Sequence, residues 1–161
     1  MKIPYRTGIG YDVHRIAKGR KLILGGVEID ADFGLAGHSD ADVLSHAIAD
    51  AILGAAGLAD IGHYFPPSDA SLKNLDSQVI VKTARKEAGK QGYVLLNVDA
   101  VIIAEAPRIL PYRDQMKAIL SRSLEIDSSR IGIKATTNEG LGWIGRGEGM
   151  AAHAVCMLAL A

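Results

Sequence analysis

The hydrophobic period switches back and forth along this chain, and that alternation restricts the fold more than any other feature of the sequence. Residues 2–16 alternate with glycine interruptions, and 21–29 read as two short strands around Gly25 and Gly26. The period then becomes helical. Val43, Leu44, Ala47, Ile48, Ala51, Ile52 and Ala55 share one stripe, with Ser39 as the expected N-cap, Asp40 and Asp42 in the first turn, and a stop near Gly57. His46 and Asp50 lie off that stripe. Residues 60–69, with Gly62, Pro66 and Pro67, read as a loop, and 76–91 as a second helix closed by Gly92. Tyr93 to Ala104 is a strand rich in Val and Ile, ended at Pro107. A third helix covers 111–124, a strand 130–135, a polar glycine-rich loop 136–149 and a last strand 150–160. Strands and helices that alternate with no repeat or linker predict an α/β (α+β) fold, with a single mixed sheet, helices on one face and one domain over residues 1–161.

The charge balance removes several function classes. Eighteen Lys and Arg against eighteen Asp and Glu give a formal net charge of zero, with no basic run of the kind that nucleic acid requires. No apolar stretch is long enough to span a membrane and no signal-peptide pattern opens the chain, so a cytoplasmic protein without a membrane partner is expected. Cys156, the single cysteine, lies in an apolar segment and reads as a small core residue. Eighteen glycines set against five Tyr and two Phe leave a modest interior, which assembly into an oligomer would extend.

Chemistry concentrates in three places. Asp12 and His14 are two residues apart, so a strand points both to one face, and a helix brings His46 into line with Asp42 and Asp50 at four-residue steps. Two imidazoles and a carboxylate suit Zn2+ and leave a fourth position open, although an Asp-x-His pair also serves as a strand-end hydrogen bond. His38, Ser39 and Asp40 sit at the expected helix start, where free N–H groups favour a phosphate; a plain cap is the other reading. In the segment 134–149, Thr136, Thr137, Asn138, Glu139 and Arg146 stand among glycines. Such a loop either wraps phosphate, with Glu139 toward a hard cation, or is merely flexible. No Walker loop or nucleophile elbow occurs. His63 and His153 are isolated and read as packed or surface residues.

Taken in order, Gly8 to Arg15, Ala36 to His46, Asp50 to Gly62, Lys134 to Thr137 and Gly145 to Gly149 closely resemble the 2-C-methyl-D-erythritol 2,4-cyclodiphosphate synthases over nearly the whole chain. The resemblance implies a phosphorus–oxygen lyase of the non-mevalonate isoprenoid pathway. Such an enzyme converts 4-diphosphocytidyl-2-C-methyl-D-erythritol 2-phosphate to the cyclic diphosphate and releases CMP. It implies Zn2+ on Asp12, His14 and His46, with Mg2+ or Mn2+ on Glu139, and transition-state contacts from His38 and Thr137. Ser39, Asp60, Ile61, Gly62, Phe65 and Asp69 would surround the methylerythritol, and the 65–69 loop would order on binding. Ala104, Pro107, Arg108, Ile109, Leu110 and Thr136 would surround the cytidine, with Asn138, Trp143 and Arg146 completing the substrate-binding set.

The same resemblance implies a homotrimer with active sites between subunits and an axial cavity that could hold an isoprenoid diphosphate. His153 and Pro67 depart from residues found there in some relatives. Two other readings use the same residues: a zinc phosphohydrolase with a metal-bound water as nucleophile, and a non-catalytic module for isoprenoid diphosphates.

Overall fold

In the computed structural model, which describes residues 3–161, extended and helical segments alternate as the hydrophobic period predicts. The order is β1 (Tyr5–Lys18), β2 (Leu22–Leu24), β3 (Val27–Ile29), β4 (Phe33–Leu35), α1 (Val43–Ala56), α2 (Ile61–Tyr64), α3 (Ser77–Lys90), β5 (Tyr93–Ile103), α4 (Arg113–Leu124), β6 (Ile131–Thr136), α5 (Gly142–Gly145) and β7 (Gly149–Leu160). Five strands form a mixed sheet in the order β4-β1-β7-β5-β6, antiparallel except for the β5–β6 pair, whose crossover carries α4. β2 and β3 form a separate hairpin. Its turn is Gly25-Gly26, with φ of +56° and +77°, the left-handed pair a two-residue hairpin needs. Among the described residues, no helix is long and apolar enough to cross a membrane.

β1 decides where everything else sits. Its side chains alternate strictly: Gly8, Gly10, Asp12 and His14 face the helices, while Ile9, Tyr11 and Val13 face outward. The two glycines remove the Cβ layer from the inner face, so α1 lies directly on the β1 backbone through Ala47, Ala51 and Ala55. α1 is buried on nearly every side, His46 included, where an amphipathic stripe was expected. Burial all round follows because α3 and the β2–β3 hairpin cover the side turned away from the sheet.

Three local expectations are corrected. α1 is capped by Asp42, not Ser39: the Asp42 carboxylate accepts from Ser45 N and also from both turn amides of Gly25 and Gly26. Those partners lie far away in sequence, and they draw the helix start three residues downstream. The 60–69 segment contains the short helix α2, because Asp60 caps His63 N and Asp50 accepts from Ile61 N. β4, a three-residue edge strand, extends the sheet where no strand was expected.

Candidate metal centre and active site

The period of β1 puts Asp12 and His14 on the face toward α1, and the first turn of α1 carries His46 down onto them. Asp12 Oδ2 lies 2.9 Å from His14 Nε2 and 3.0 Å from His46 Nδ1, and the two nitrogens are 3.2 Å apart. The bonds on the far side of each ring bear on which nitrogen carries a proton. His14 Nδ1 is 2.6 Å from the Ala36 carbonyl, which only accepts, so in the neutral ring Nδ1–H donates there and Nε2 is left bare. His46 Nε2 meets Ser77 Oγ at 2.8 Å and Ser39 Oγ at 3.3 Å.

Three lone-pair atoms thus converge within the spacing that a tetrahedral Zn2+ imposes, since bonds of about 2.0–2.1 Å place neighbouring ligands about 3.3 Å apart. Without a cation or shared protons such a triangle repels itself. The charges respond accordingly. Burial opposes ionisation of Asp12, yet the hydrogen bonds and charges of His14 and His46 outweigh it and bring its carboxyl down to about 2. Burial likewise penalises the His14 cation, but Asp12 prevails and raises the His14 pKa. The donor set fits a divalent metal with one position left open.

Two cavities flank this picture. One, of about 210 Å3, is lined by His14, His38, Ser39, His46, Ile61, Gly62 and Phe65, among others, and opens beside the triangle. The other, of about 550 Å3, is lined by Ala104, Pro107, Arg108, Ile109, Leu110, Thr136 and Thr137 with Glu105, Pro111, Arg113 and Ala135. The two share no lining residue. Part of the predicted site is therefore divided between two separate cavities of one chain.

The profile of the YgbB family matches residues 5–159. The chain belongs to the YgbB family. Two named relatives are similar along nearly their full length. The 2-C-methyl-D-erythritol 2,4-cyclodiphosphate synthase of Chlorobium luteolum is 55% identical over 153 residues, covering 95% of this chain and 98% of the relative. The synthase of Moorella thermoacetica is 54% identical over 153 residues, covering 95% and 94%. Among solved structures, IspF of Plasmodium falciparum in complex with CDP superposes with a TM-score of 0.86 at 36% identity, each chain covered to 99%. The bifunctional IspDF of Campylobacter jejuni gives 0.95 at 41% identity; it matches 99% of this chain, which spans 43% of that longer protein.

The other predicted residues of this YgbB chain lie at the rim of the smaller cavity or outside both. His38 is exposed at the rim, shared by the smaller cavity and a crevice lined by Arg20, Pro67, Asp69 and Lys73. Asp60 is committed to capping α2, and Asp69 to capping the turn at Ser71. Trp143 lies in a crevice with Val13, His14 and Glu148, and Arg146 donates to Glu148 at 2.6 Å. Asn138 and Glu139 lie on the exposed turn after β6 and line neither cavity. Two supporting contacts escaped the sequence reading. Arg20 donates to the carbonyls of Gly37 and Ser39, at 2.9 and 2.7 Å, and so braces the loop that carries His38. Glu105 accepts from Asn138 N at 2.7 Å and ties the 136–140 turn to the end of β5. Neither has a motif; each bonds a backbone group distant in sequence.

Proposed function

We propose that this chain converts 4-diphosphocytidyl-2-C-methyl-D-erythritol 2-phosphate to 2-C-methyl-D-erythritol 2,4-cyclodiphosphate and CMP. The observation that carries the reading is the triangle of Asp12, His14 and His46 in a chain of the YgbB family. In this reaction a 2-phosphate oxygen forms a bond to the β-phosphorus as the bond from that phosphorus to the α-phosphate oxygen breaks, and CMP carries the electron pair away. The attacking group belongs to the substrate, so the protein's work is alignment and charge neutralisation.

Asp12, His14 and His46 would hold Zn2+, which when bound supplies a Lewis acid for a phosphate oxygen at the open position. Glu139 would hold the second cation, Mg2+ or Mn2+, toward the diphosphate. His38, at the mouth of the smaller cavity, and Thr137, in the wall of the larger one, would donate to oxygens whose charge grows as CMP departs. Ser39, Ile61, Gly62 and Phe65 would enclose the methylerythritol, and residues 104–110 with Thr136 the cytidine.

The active unit we propose is a homotrimer in which the metal half of one subunit meets the cytidine half of the next. Two observations support it. The halves share no lining residue within a chain, and the sheet face opposite the helices leaves Ile9, Tyr11, Val13, Val155 and Met157 exposed. Phosphorus NMR of the protein with substrate, Zn2+ and Mg2+ tests the activity. Cyclic diphosphate and CMP should form, and His46→Ala should abolish both. Release of inorganic phosphate would point instead to a hydrolase, and unchanged substrate to a binding module.

A further inference from the structure

We infer that Asp40 and Ser77 are positioning residues that set the tautomer of His46 and so keep its Nδ1 lone pair turned toward Asp12 and His14. Three donors point at the Asp40 carboxylate, which can only accept: Ser77 N at 3.0 Å, Asp42 N at 3.2 Å and the Ser77 hydroxyl. A serine hydroxyl has one proton. With that proton directed at Asp40, Ser77 Oγ has only lone pairs left for its other neighbour, His46 Nε2, 2.8 Å away. The contact is a hydrogen bond only if Nε2 carries the proton. In the neutral ring Nδ1 is then bare, and it lies 3.0 Å from Asp12 Oδ2 and 3.2 Å from His14 Nε2.

Two further observations bear on the same nitrogen. Ser39 Oγ, which accepts from Ala41 N at 3.1 Å, keeps a second lone pair for His46 Nε2, but at 3.3 Å it is the more distant partner and the 2.8 Å contact with Ser77 dominates. Ser77 is fully buried and His46 is 6% exposed, so solvent does not supply a competing donor at Nε2. His14 needs no such relay, because the Ala36 carbonyl orients its ring directly. The two histidines therefore reach the same state by different means, one through backbone and one through side chains of the 38–42 loop and α3. Partners of this kind outside the ligand set hold a ring in its binding orientation and raise its basicity as a ligand.

The link to metal binding rests on the proposed zinc site, whereas the tautomer stands apart from it, and two measurements separate them. Nitrogen-resolved NMR of the histidines in the metal-free chain at about pH 9, where imidazoles are neutral, should show His46 protonated on Nε2. Protonation on Nδ1 would overturn the inference, and this observation needs no variant. Zinc affinity, read by competition with a chromophoric chelator, should fall about 10- to 100-fold in Ser77→Ala and in Asp40→Asn. The asparagine amide can donate to Ser77, freeing the hydroxyl proton for Nε2, so this variant should also shift His46 toward the Nδ1–H form. Asp76→Ala removes the α3 cap without touching the relay and should bind zinc as the parent does. Equal weakening in Asp76→Ala, or undiminished affinity in the other two, would show that α3 acts only as scaffold. If the parent chain bound no zinc, the metal reading would fall while the tautomer spectrum still decided the relay.

Discussion

Gly10 of β1 and Ala47 of α1 meet backbone to backbone: a methyl group on Gly10 would lie 1.9 Å from the Ala47 carbonyl oxygen. Gly8 stands in the same relation to Ala51, at 2.0 Å. This contact is what brings His46 down onto Asp12. Gly10→Ala should therefore destabilise the fold by about 1–3 kcal/mol or more and also weaken metal binding, because the helix must lift from the strand. Gly89→Ala provides the contrast: it is helical, the added carbon meets nothing within 4 Å beyond its chain neighbours and its own helix backbone, and the change should stabilise by up to about 1 kcal/mol. Thermal denaturation with metal analysis compares the two.

Asp42 is fully buried and accepts from Gly25 N, Gly26 N, Ser45 N and Ser45 Oγ at 2.7–3.0 Å. Asp42→Ala strands these donors and removes the helix cap, a loss of about 2–5 kcal/mol. Urea unfolding should show a lower midpoint with an unchanged slope; an unchanged midpoint would refute this account of the α1 start.

Zinc binding should depend on pH through His14, and the sign follows from its raised pKa. In the metal-free chain the protonated His14 pairs with Asp12, which adds stability below the ordinary value of 6.5 and loses it as pH rises through the raised one. Metal needs the same nitrogen bare. Zinc affinity should thus climb with pH up to the raised His14 value and level off above it, with about one proton released per metal bound. Chelator competition and calorimetry in two buffers over about pH 5–9 measure both; an affinity flat across that window would contradict the assignment.

If each active site takes its metal half from one subunit and its cytidine half from the next, two inactive variants should rescue one another. Asp12→Ala and Thr137→Ala chains, unfolded together and refolded at equal amounts, should regain about a quarter of the parent activity, the fraction of interfaces at which two intact halves meet. Separately refolded samples should stay inactive. No recovery in the mixture would place both halves of a site in one subunit.

Burial pushes the Cys156 thiol up to about 12, so it should be inert in the native protein. A thiol reagent should label it only after denaturation, and fast native labelling would mean that β7 opens readily.

The sequence carried the metal triangle openly, because strand period and helix pitch are local properties: Asp12 and His14 had to share a face, and His46 had the right chemistry to join them. The sheet and its helices were legible for the same reason. What stayed hidden depends on distant partners. The sequence pointed to Ser39 as the cap of α1, and only the amides of Gly25 and Gly26 select Asp42 instead. Ser77 looks like an ordinary helix-start residue, yet its hydroxyl meets His46, 31 positions away. β4 is too short to show a period, and α2 exists because Asp50 and Asp60 bond its first turn across a stretch rich in glycine and proline.

The pairing of β1 with β7 sets Tyr5 against Ala159 and Arg15 against Gly149, strands far apart in sequence side by side. During synthesis, Asp12 and His14, two of the three candidate metal ligands, therefore emerge long before the strand that steadies them. Until β7 has left the ribosome, β1 has only the three residues of β4 beside it in the sheet. Maturation of the candidate metal centre therefore waits on the emergence of β7, and a chain lacking residues 149–160 would carry the ligand residues without the frame that holds them.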